Sequence, residues 1–337
     1  MKKRSIGFVL MGLGSLFFSG CYYTTQGYYL LSYQAKAKPV EKLLKDKDID
    51  PDTRDFLLLI EDIRNFAVEE LGLEKNKNYS TYLDLDQDVL AWVVSACDPL
   101  SFNTYLWNYP VMGRLPYKGF YRQEDAVKEG KKLVKKDKDV WIRGVEAFST
   151  LGFFKDPLIS YMADYSVYDI ANLIIHEQTH ATIWKKDNPS FNEDLASFVG
   201  DEGARLFVLS RFGEDSPEYL GIAANEENAQ RFREDILSLR ERLEMFYQGL
   251  PDPLPENDGP FLNEKKQIIQ DFQNEFLAVY DDRYTSENYR RFGELQVNNA
   301  YIDLFHIYHG QREDLEKMYA EAEYDLKKFI ASLKESA

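Results

Sequence analysis

The pattern of apolar and polar residues first marks a leader at the start of the chain. Apolar residues fill positions 6–18 almost without interruption, directly after three basic residues at positions 2–4. This stretch is too short to span a bilayer as an ordinary helix, and Ser19-Gly20 resembles a small-residue cleavage site. The pattern therefore predicts a secretory signal peptide over residues 1–20.

The body of the chain begins near residue 51 and changes from mixed to helical patterning. Apolar residues at helical spacing from Phe56 to Ala67 predict a helix that ends near Gly72. Two apolar runs, at 89–97 and 140–148, predict strands. The further predicted segments are an exposed Lys-rich helix at 123–136, helical stretches at about 168–186, 191–212, 216–247, 262–278 and 285–335 with breaks, and a Pro-rich loop at 251–260.

These elements predict an α+β fold. A small twisted sheet should lie beside the helix at 168–186, a mostly helical C-terminal half should follow, and a cleft between the two parts should hold the site. The predicted boundaries are a signal peptide at 1–20, a lipidated N-terminus and tether at 21–50, and one domain at 51–337 with a β-rich part at 80–160 and a helical part at 165–337.

Composition and charge exclude two broad classes. The 337 residues are 44% hydrophobic, enough to fill a sizeable core, so intrinsic disorder is excluded as the main state. Lys and Arg total 41 against 57 Asp and Glu, a net charge of -16. Because this charge repels phosphates over most of the surface, general nucleic-acid binding is excluded, and an anionic membrane surface would not attract the chain.

The two cysteines, Cys21 and Cys97, cannot form a disulfide framework. The run from Leu16 to Cys21 resembles a bacterial lipobox, in which the cysteine is acylated and becomes the mature N-terminus, although Phe18 departs from the usual Leu. The sequence thus predicts a bacterial cell-envelope lipoprotein, facing the periplasm or the surface, that touches the membrane through its N-terminal lipid only. A plain secreted protein or an uncleaved anchor remains the alternative.

Two of the four histidines lie in the string His176-Glu-Gln-Thr-His180. Residues four apart project from the same side of a helix, so both imidazoles can bind one zinc ion. Glu177 lies about 100° around the helix from His176, beside the metal, where it can take a proton from zinc-bound water as general base. The alternative is a pair of core histidines whose ring nitrogens bond to backbone carbonyls.

A catalytic zinc needs a third protein ligand and an open position, and Glu193 is the favoured ligand. Its helix carries a stripe of small residues on the same side, which lets another helix approach closely: Ala196, Ser197, Gly200, Gly203 and Ala204. The helix at 168–186 is the expected neighbour of this stripe.

Other interpretations of this region stay open. Glu193 stands three residues after Ser190, a spacing that also suits a capping box in which Ser190 caps the helix. Asp194 or Glu202 could replace Glu193 as ligand, but Asp194 points about 100° away and Glu202 lies more than two turns further along.

His176-Glu-Gln-Thr-His180 followed by Asn192-Glu193-x-x-Ala196 resembles the gluzincins, the thermolysin-like and aminopeptidase group of zinc hydrolases. The longer string 176–204 looks like the bacterial predicted-aminopeptidase family, many of whose members are envelope lipoproteins. The other matching stretches are 109–120, 147–157 and 298–301. The resemblance implies a zincin-like fold, with His176, His180 and Glu193 as zinc ligands and Glu177 as general base.

An oxyanion needs a donor besides the metal, and three residues of a late aromatic-rich segment are candidates. They are Tyr301, which is favoured, Tyr308 and His306. An extended peptide could pair with an exposed strand edge at Ser149, Thr150 and Leu151, although an ordinary loop suits those residues equally well.

Trimming an N-terminus requires an acid that holds the free ammonium group. The candidates are Asp201, Glu202 and Asp156, chosen because they lie near the metal helices in sequence. For each of them, a solvated or supporting charge is the alternative.

The sequence as a whole predicts zinc-dependent hydrolysis of a peptide substrate by an envelope-anchored aminopeptidase. The Gly-x-Met-Glu-Asn amine-recognition motif of the large zinc aminopeptidases is absent from the sequence, so a zinc endopeptidase is an alternative. A binding or scaffold lipoprotein that keeps the fold without turnover is a second alternative. The residue preference and the oligomeric state stay open.

Overall fold

A computed structural model describes residues 22–109, 113–145, 156–186, 188–305 and 312–335. Several predictions from the sequence lie outside these ranges. They concern the signal peptide at 1–20, the acylated Cys21, the strand edge at 149–151, and His306 and Tyr308 as oxyanion donors.

Helices dominate the described residues. They are α1 (22–36), α2 (Val40–Leu44), α3 (Pro51–Glu69), α4 (Gln123–Val134), α5 (Val167–Thr182), α6 (Pro189–Phe212), α7 (Pro217–Gln248), α8 (Gly259–Ala278), α9 (Tyr280–Arg283), α10 (Asn299–Ile302), α11 (Arg312–Glu321) and α12 (Leu326–Glu335). Short segments of 3-10 helix at Ser160–Asp164, Glu287–Glu294 and Asp303–Phe305 connect some of them.

The strands in the described ranges are short and form three small sheets. They are β1 (Lys38–Pro39), β2 (Thr81–Leu83), β3 (Ala91–Cys97), β4 (Trp107–Tyr109), β5 (Gly113–Leu115), β6 (Tyr117–Phe120), β7 (Asp139–Val145) and β8 (Leu158–Ile159). The sheet orders are β1-β2-β8, β6-β3-β7 and β4-β5, and only the β2–β8 pair among them is parallel.

Three buried clusters hold these elements together. The first joins α3, α5, α6 and α12 around fully buried residues such as Ile60, Ile174 and Phe329. The second joins α7 and α8 around aromatic rings, including Phe232 and Phe276. The third lies where α4 packs on the β6-β3-β7 sheet. Burial of these apolar side chains is the main source of stability for each layer.

The helical half is attached to the first residues of β7. The Asn298 side-chain amide donates to the Val140 carbonyl at 3.0 Å, and the Asn299 backbone amide donates to an Asp139 carboxylate oxygen at 2.9 Å. The last residues of β7 lie beyond this attachment and face α5 instead, as the cavity between them shows. The strand therefore connects the helical half to the helix that carries the histidines.

The segment expected to be a tether is instead a helix packed on the body. In α1, the Tyr22 hydroxyl donates to the Gly119 carbonyl at 2.8 Å, and the Tyr121 backbone amide donates to Gln26 Oε1 at 3.0 Å. Aromatic rings supply the rest of the contact, so a Tyr-rich composition that looked like a linker is the packing surface of this helix. No helix in the described part of the chain is long and apolar enough to cross a membrane.

One predicted boundary also shifts. The helix expected to reach residue 186 ends at Thr182, because Ile183 adopts an extended conformation and Trp184 is exposed. The helical stretch expected over 285–335 with breaks consists, in its described residues, of 3-10 turns and short helices, and the extended residue Leu295 is one of the breaks.

Candidate metal centre

The helix α5 carries the two histidines and the glutamate between them. Ser166 caps its first turn, because the Ser166 hydroxyl oxygen accepts a hydrogen bond from the Asp169 backbone amide at 3.1 Å. The buried side chains of Ile170 and Ile174 bind the helix to the core. The face that contains His176 and His180 therefore has a fixed direction toward the next helix.

The helix α6 carries Glu193 and begins after a tight turn. Asn188 caps it by accepting a hydrogen bond from the Phe191 backbone amide at 3.2 Å, and Pro189 follows at the first helical position. Asn188 thus holds the cap position two residues before Ser190, which contradicts the alternative in which Ser190 caps the helix. Asn192 fixes the turn by exchanging hydrogen bonds of 2.8 and 2.9 Å with the Lys185 backbone.

The small residues of α6 let it lie directly against α5, as the sequence predicted. A Cβ atom at Gly200 would stand 3.2 Å from the Asn172 carbonyl oxygen and 3.2 Å from the His176 Cβ atom. A Cβ atom at Gly203 would stand 3.0 Å from the Ile175 side chain. Only glycine fits these positions without displacing the helix that carries the histidines.

Three side chains from α5 and α6 converge on one point. The Nε2 atoms of His176 and His180 are 3.2 Å apart. The Glu193 carboxylate lies 3.4 Å from His180 Nε2 and 3.8 Å from His176 Nε2. Within the described residues, these three form the one group of histidine, cysteine or acidic side chains whose ligand atoms all lie within 4.8 Å of one another.

The distances suit a single tetrahedral metal ion. Metal–nitrogen and metal–oxygen bonds of about 2.0–2.2 Å at tetrahedral angles require ligand atoms about 3.3–3.6 Å apart. The separations observed for His176, His180 and Glu193 fall close to that interval. Two imidazoles and one carboxylate also match the donor set of catalytic zinc sites, which leave one position for substrate or water.

The electrostatics of the cluster favour the protonation states that a metal requires. Burial, together with the neighbouring His180, lowers the pKa of His176 to about 4. A hydrogen bond from His180 lowers the pKa of Glu193, although burial opposes this effect. Near neutral pH, His176 is thus uncharged and Glu193 is ionised, as ligation demands.

Glu177 lies in the wall of a cavity of about 720 Å³ between α5 and β7. Its side chain is only 8% exposed, and His176 stands beside it in the same cavity wall. The opposite wall is the end of β7, with Arg143, Gly144 and Val145. A substrate in this cavity would therefore touch both the helix and the strand.

The strand β7 presents an edge to this cavity. The Val140 carbonyl of this strand accepts a hydrogen bond from Asn298, so it points away from β3. The Val145 carbonyl accepts a hydrogen bond of 3.0 Å from the Leu90 amide, so it points toward β3. Successive residues of a strand alternate in direction, so the backbone groups of Gly144 point away from β3. Within the described ranges, β7 is the last strand on this side of its sheet.

Tyr301, the favoured oxyanion donor, lies in the aromatic cluster of the helical half. Its ring packs against Trp141 of β7, with ring centroids 4.8 Å apart. Burial raises the pKa of Tyr301 to about 12. Trp141 and Arg143 are two residues apart and so share a face of β7, which places Tyr301 on the face that also carries Arg143.

The three acids considered for ammonium binding occupy different places. Asp201 lies closest to the histidines, because its carboxylate accepts a hydrogen bond of 2.7 Å from Asn172 in the cavity wall. Glu202 lies 3.9 Å from the Arg205 guanidinium. Asp156 precedes β8, where its carbonyl accepts from the Tyr79 amide at 2.8 Å.

Several residues around the cavity were missed in the sequence. Asn172 and Asp169 precede His176 by one and two helical turns and share its face, a spacing that the sequence already offered as a signal. Tyr79 has no motif of its own. It is buried with a φ of 57°, and burial followed by the charge of Glu177 raises its pKa well above the usual value.

The chain matches the model of one protein family, described as "Putative aminopeptidase", over residues 21–337. No curated protein and no solved structure matches it significantly.

Proposed function

The chain belongs to the putative aminopeptidase family, and from this premise we propose that it is a zinc-dependent peptide-bond hydrolase that acts as an aminopeptidase. The observation that carries the proposal is the convergence of His176, His180 and Glu193 from two helices on one point, with Glu177 beside them in a cavity. The proposed fold class is accordingly zincin-like.

The proposed ligands are the three converging side chains, and the proposed metal is zinc. Two neutral imidazoles and one carboxylate are a usual set for catalytic zinc and leave a position open to the cavity. When bound there, zinc supplies Lewis acidity that polarises a peptide carbonyl and acidifies a water molecule.

Glu177 is the proposed general base. It stands one residue after His176, so its carboxylate lies beside the ligand set and faces the same cavity. There it accepts a proton from the attacking water and passes it to the amine that leaves. Its low exposure excludes bulk water, which strengthens the interaction of its charge with the reacting groups.

The edge of β7 is the proposed holder of the peptide backbone. The amide and carbonyl of Gly144 point away from β3 into the side of the cavity that faces His176 and Glu177. An extended peptide can add to such an edge as a further strand, which aligns its carbonyls along the cavity. Gly144 has no side chain that would obstruct this approach.

Two further residues complete the proposed site. Tyr301 does not line the cavity of His176 and Glu177. It stays the proposed donor to the oxyanion, because its ring packs against Trp141 on the face of β7 that carries Arg143 of the cavity wall. Its raised pKa keeps the hydroxyl protonated near neutral pH. Asp201 is the proposed partner of the substrate ammonium group. Its bond to Asn172 places it about one helical turn, roughly 6 Å, from His176 along α5, a distance that suits the amine of a residue whose carbonyl is attacked.

We also propose that acylation of Cys21 anchors the enzyme in the cell envelope. The apolar run at 6–18 and the small residues before Cys21 support this assignment. Two or more acyl chains hold a protein stably, because each buried methylene contributes about 0.8 kcal/mol.

The test is digestion of a peptide library by the zinc-loaded protein, with each peptide supplied with a free and an acetylated N-terminus. We expect removal of N-terminal residues from the free peptides and little cleavage of the acetylated ones. Acetylation removes the positive charge of the N-terminal ammonium group, which the site would recognise. Internal cuts that ignore acetylation would assign an endopeptidase. Zinc binding without any cleavage would assign a binding or scaffold protein.

Matched variants connect the activity to the site. Glu177→Gln should keep zinc and lose about 100-fold or more of the rate, because the amide cannot accept the proton. Glu275→Gln is the control, since Glu275 lies on the surface of α8, where it pairs with Arg242 at 2.8 Å. Equal activity of the two variants would contradict the role of Glu177.

A further inference from the structure

The helix α1 is unusual for a surface helix of this protein because it carries no charge over most of its length. Residues 22–35 contain no Asp, Glu, Lys or Arg, although such residues form 29% of the chain. The first charged side chain is Lys36, at the end of the helix. Helices that lie between a protein core and water normally present charged residues to the water.

One face of α1 is accounted for by the body of the protein. Tyr22, Gln26 and Tyr33, which share one side of the helix, contact residues at the end of β6: the Tyr22 ring lies 5.5 Å from that of Phe120, and the Tyr33 ring lies 5.4 Å from that of Tyr121. Because these contacts extend over three turns, the helix has a fixed orientation on the sheet.

The rest of the helix surface presents uncharged, largely apolar side chains to the outside. The large exposed ones are Tyr23, Tyr28 and Leu31, which we call the α1 patch. Tyr28 is 68% exposed and Leu31 is 62% exposed. Helical geometry places Tyr28 and Leu31, three residues apart, on the side away from Tyr22 and Tyr33, and it places Tyr23 on the flank, about 100° around the helix from Tyr22.

We propose that the α1 patch is a membrane-contact surface that lies in the polar interface of the bilayer. The inference rests on the anchoring proposed for Cys21, because Tyr23 follows that cysteine by two residues. At no more than about 3.6 Å of chain per residue, the patch begins within about 7 Å of the anchor. A rigid helix held that close to acyl chains must lie at the bilayer surface.

The chemistry of the patch suits this location better than another protein. Tyrosine is enriched where membranes meet water, since its ring prefers the apolar side and its hydroxyl remains hydrated. The absence of charge on the face removes the desolvation penalty of contact with lipid. A second copy of the chain is a poorer occupant, because stable interfaces use about 20–30 residues a side and the patch offers three.

The contact would make the anchor rigid. Since α1 is bound to the sheet, the bilayer would support the body directly, and the cleft between α5 and β7 would keep one orientation relative to the membrane. The enzyme would then act on peptides close to the membrane surface.

The test uses the full acylated chain in phosphatidylcholine vesicles whose acyl chains carry bromine, which quenches tryptophan fluorescence at short range. Leu31→Trp places the probe in the α1 patch. Leu220→Trp is the matched control, because Leu220 is also a leucine on a helix surface and is 61% exposed. For Leu31→Trp we expect the quenched fraction of the tryptophan fluorescence to exceed the wild-type fraction by at least about twofold. For Leu220→Trp we expect the same quenched fraction as in the wild type.

The outcome separates the contact from the anchor. Equal and weak quenching of both variants, while the chains remain on the vesicles, would overturn the membrane-contact surface and leave the anchor intact. A mass that shows no acyl group would instead refute the proposed anchoring. In that case, coupling the Cys21 thiol to a maleimide lipid supplies an anchor, and Cys97 does not compete for the lipid because it is buried. The same quenching comparison then decides whether the α1 patch contacts the membrane.

Discussion

The Nε2 atom of His180 lies 3.4 Å from the Oε1 atom of Glu193, although the two residues belong to different helices. Neither α5 nor α6 alone provides a complete ligand set. The proposed metal site therefore depends on how closely the two helices pack, and the stripe of small residues along α6 determines that distance.

Glu193→Gln should weaken zinc binding by more than about 10-fold, because an amide is a poor replacement for a carboxylate ligand. Loss of a residue that only hydrogen-bonds to a metal ligand already lowers metal affinity by about 10-fold or more. Competition with a zinc chelator measures the affinity. Glu202→Gln on the same helix is the control and should bind zinc like the wild type, since Glu202 lies beside Arg205. Unchanged affinity for zinc in Glu193→Gln would exclude Glu193 as a ligand.

Gly200→Ala should lower stability by about 1–3 kcal/mol, because the new methyl group would press on the Asn172 carbonyl and on His176. The same change at Gly221 in α7 should raise stability by about 0.5–1 kcal/mol, since nothing lies within 4 Å of the added atom and alanine favours helix. Urea unfolding measures both. A stabilised Gly200→Ala protein would show that α5 and α6 do not need their close approach.

The sequence predicted the central part of this site because its signals are local. The spacing of His176 and His180 and the small residues after Glu193 are short-range patterns, and helix geometry converts them into directions. The sequence predicted a small sheet beside this helix but not which of its residues form the cavity wall, because Arg143 and Gly144 come near His176 through long-range packing that no short pattern records. Residues 22–36 were interpreted as a tether because a Tyr-rich segment does not reveal which surface it packs against.

The buried ion pair between Arg240 and Asp303 was likewise invisible in the sequence. Its atoms are 2.8 Å apart, and both side chains are almost fully covered. Arg240 also pairs with Glu244 at 3.0 Å, so Asp303→Asn removes only the more buried of its two acidic partners. This change should destabilise the protein by about 1.5–3 kcal/mol, the usual contribution of a hydrogen bond to a charged group. The exposed pair of Asp62 and Arg211, also 2.8 Å apart, is the control, and Asp62→Asn should change stability by less than about 1 kcal/mol.

Thermal or urea unfolding of these two variants compares the contributions of the buried and the exposed ion pair to stability. Similar small losses in both would mean that Glu244 is a sufficient partner for the Arg240 charge when Asp303 is neutral. A large loss confined to Asp303→Asn would show that this pair holds α7 to the segment after α10.

Cys97 should resist alkylation at pH 8 in the folded protein. Burial, followed by the negative charges of Asp303 and Asp139, raises the pKa of this thiol to about 12. The reactive thiolate is thus a fraction of about 10⁻⁴ at pH 8, and it forms only as pH rises toward that pKa. Mass spectrometry after iodoacetamide treatment should find Cys97 unmodified in the native protein and modified in urea. Rapid native modification would contradict its burial.

The zinc content of the purified protein, measured by elemental mass spectrometry beside that of His180→Ala, tests the central claim most directly. We predict about one zinc per wild-type chain, and loss of most of it in His180→Ala, because the remaining His176 and Glu193 provide too few ligands for tight binding. Undiminished zinc in His180→Ala, or a wild-type chain that binds none, would contradict the assignment of this metal centre.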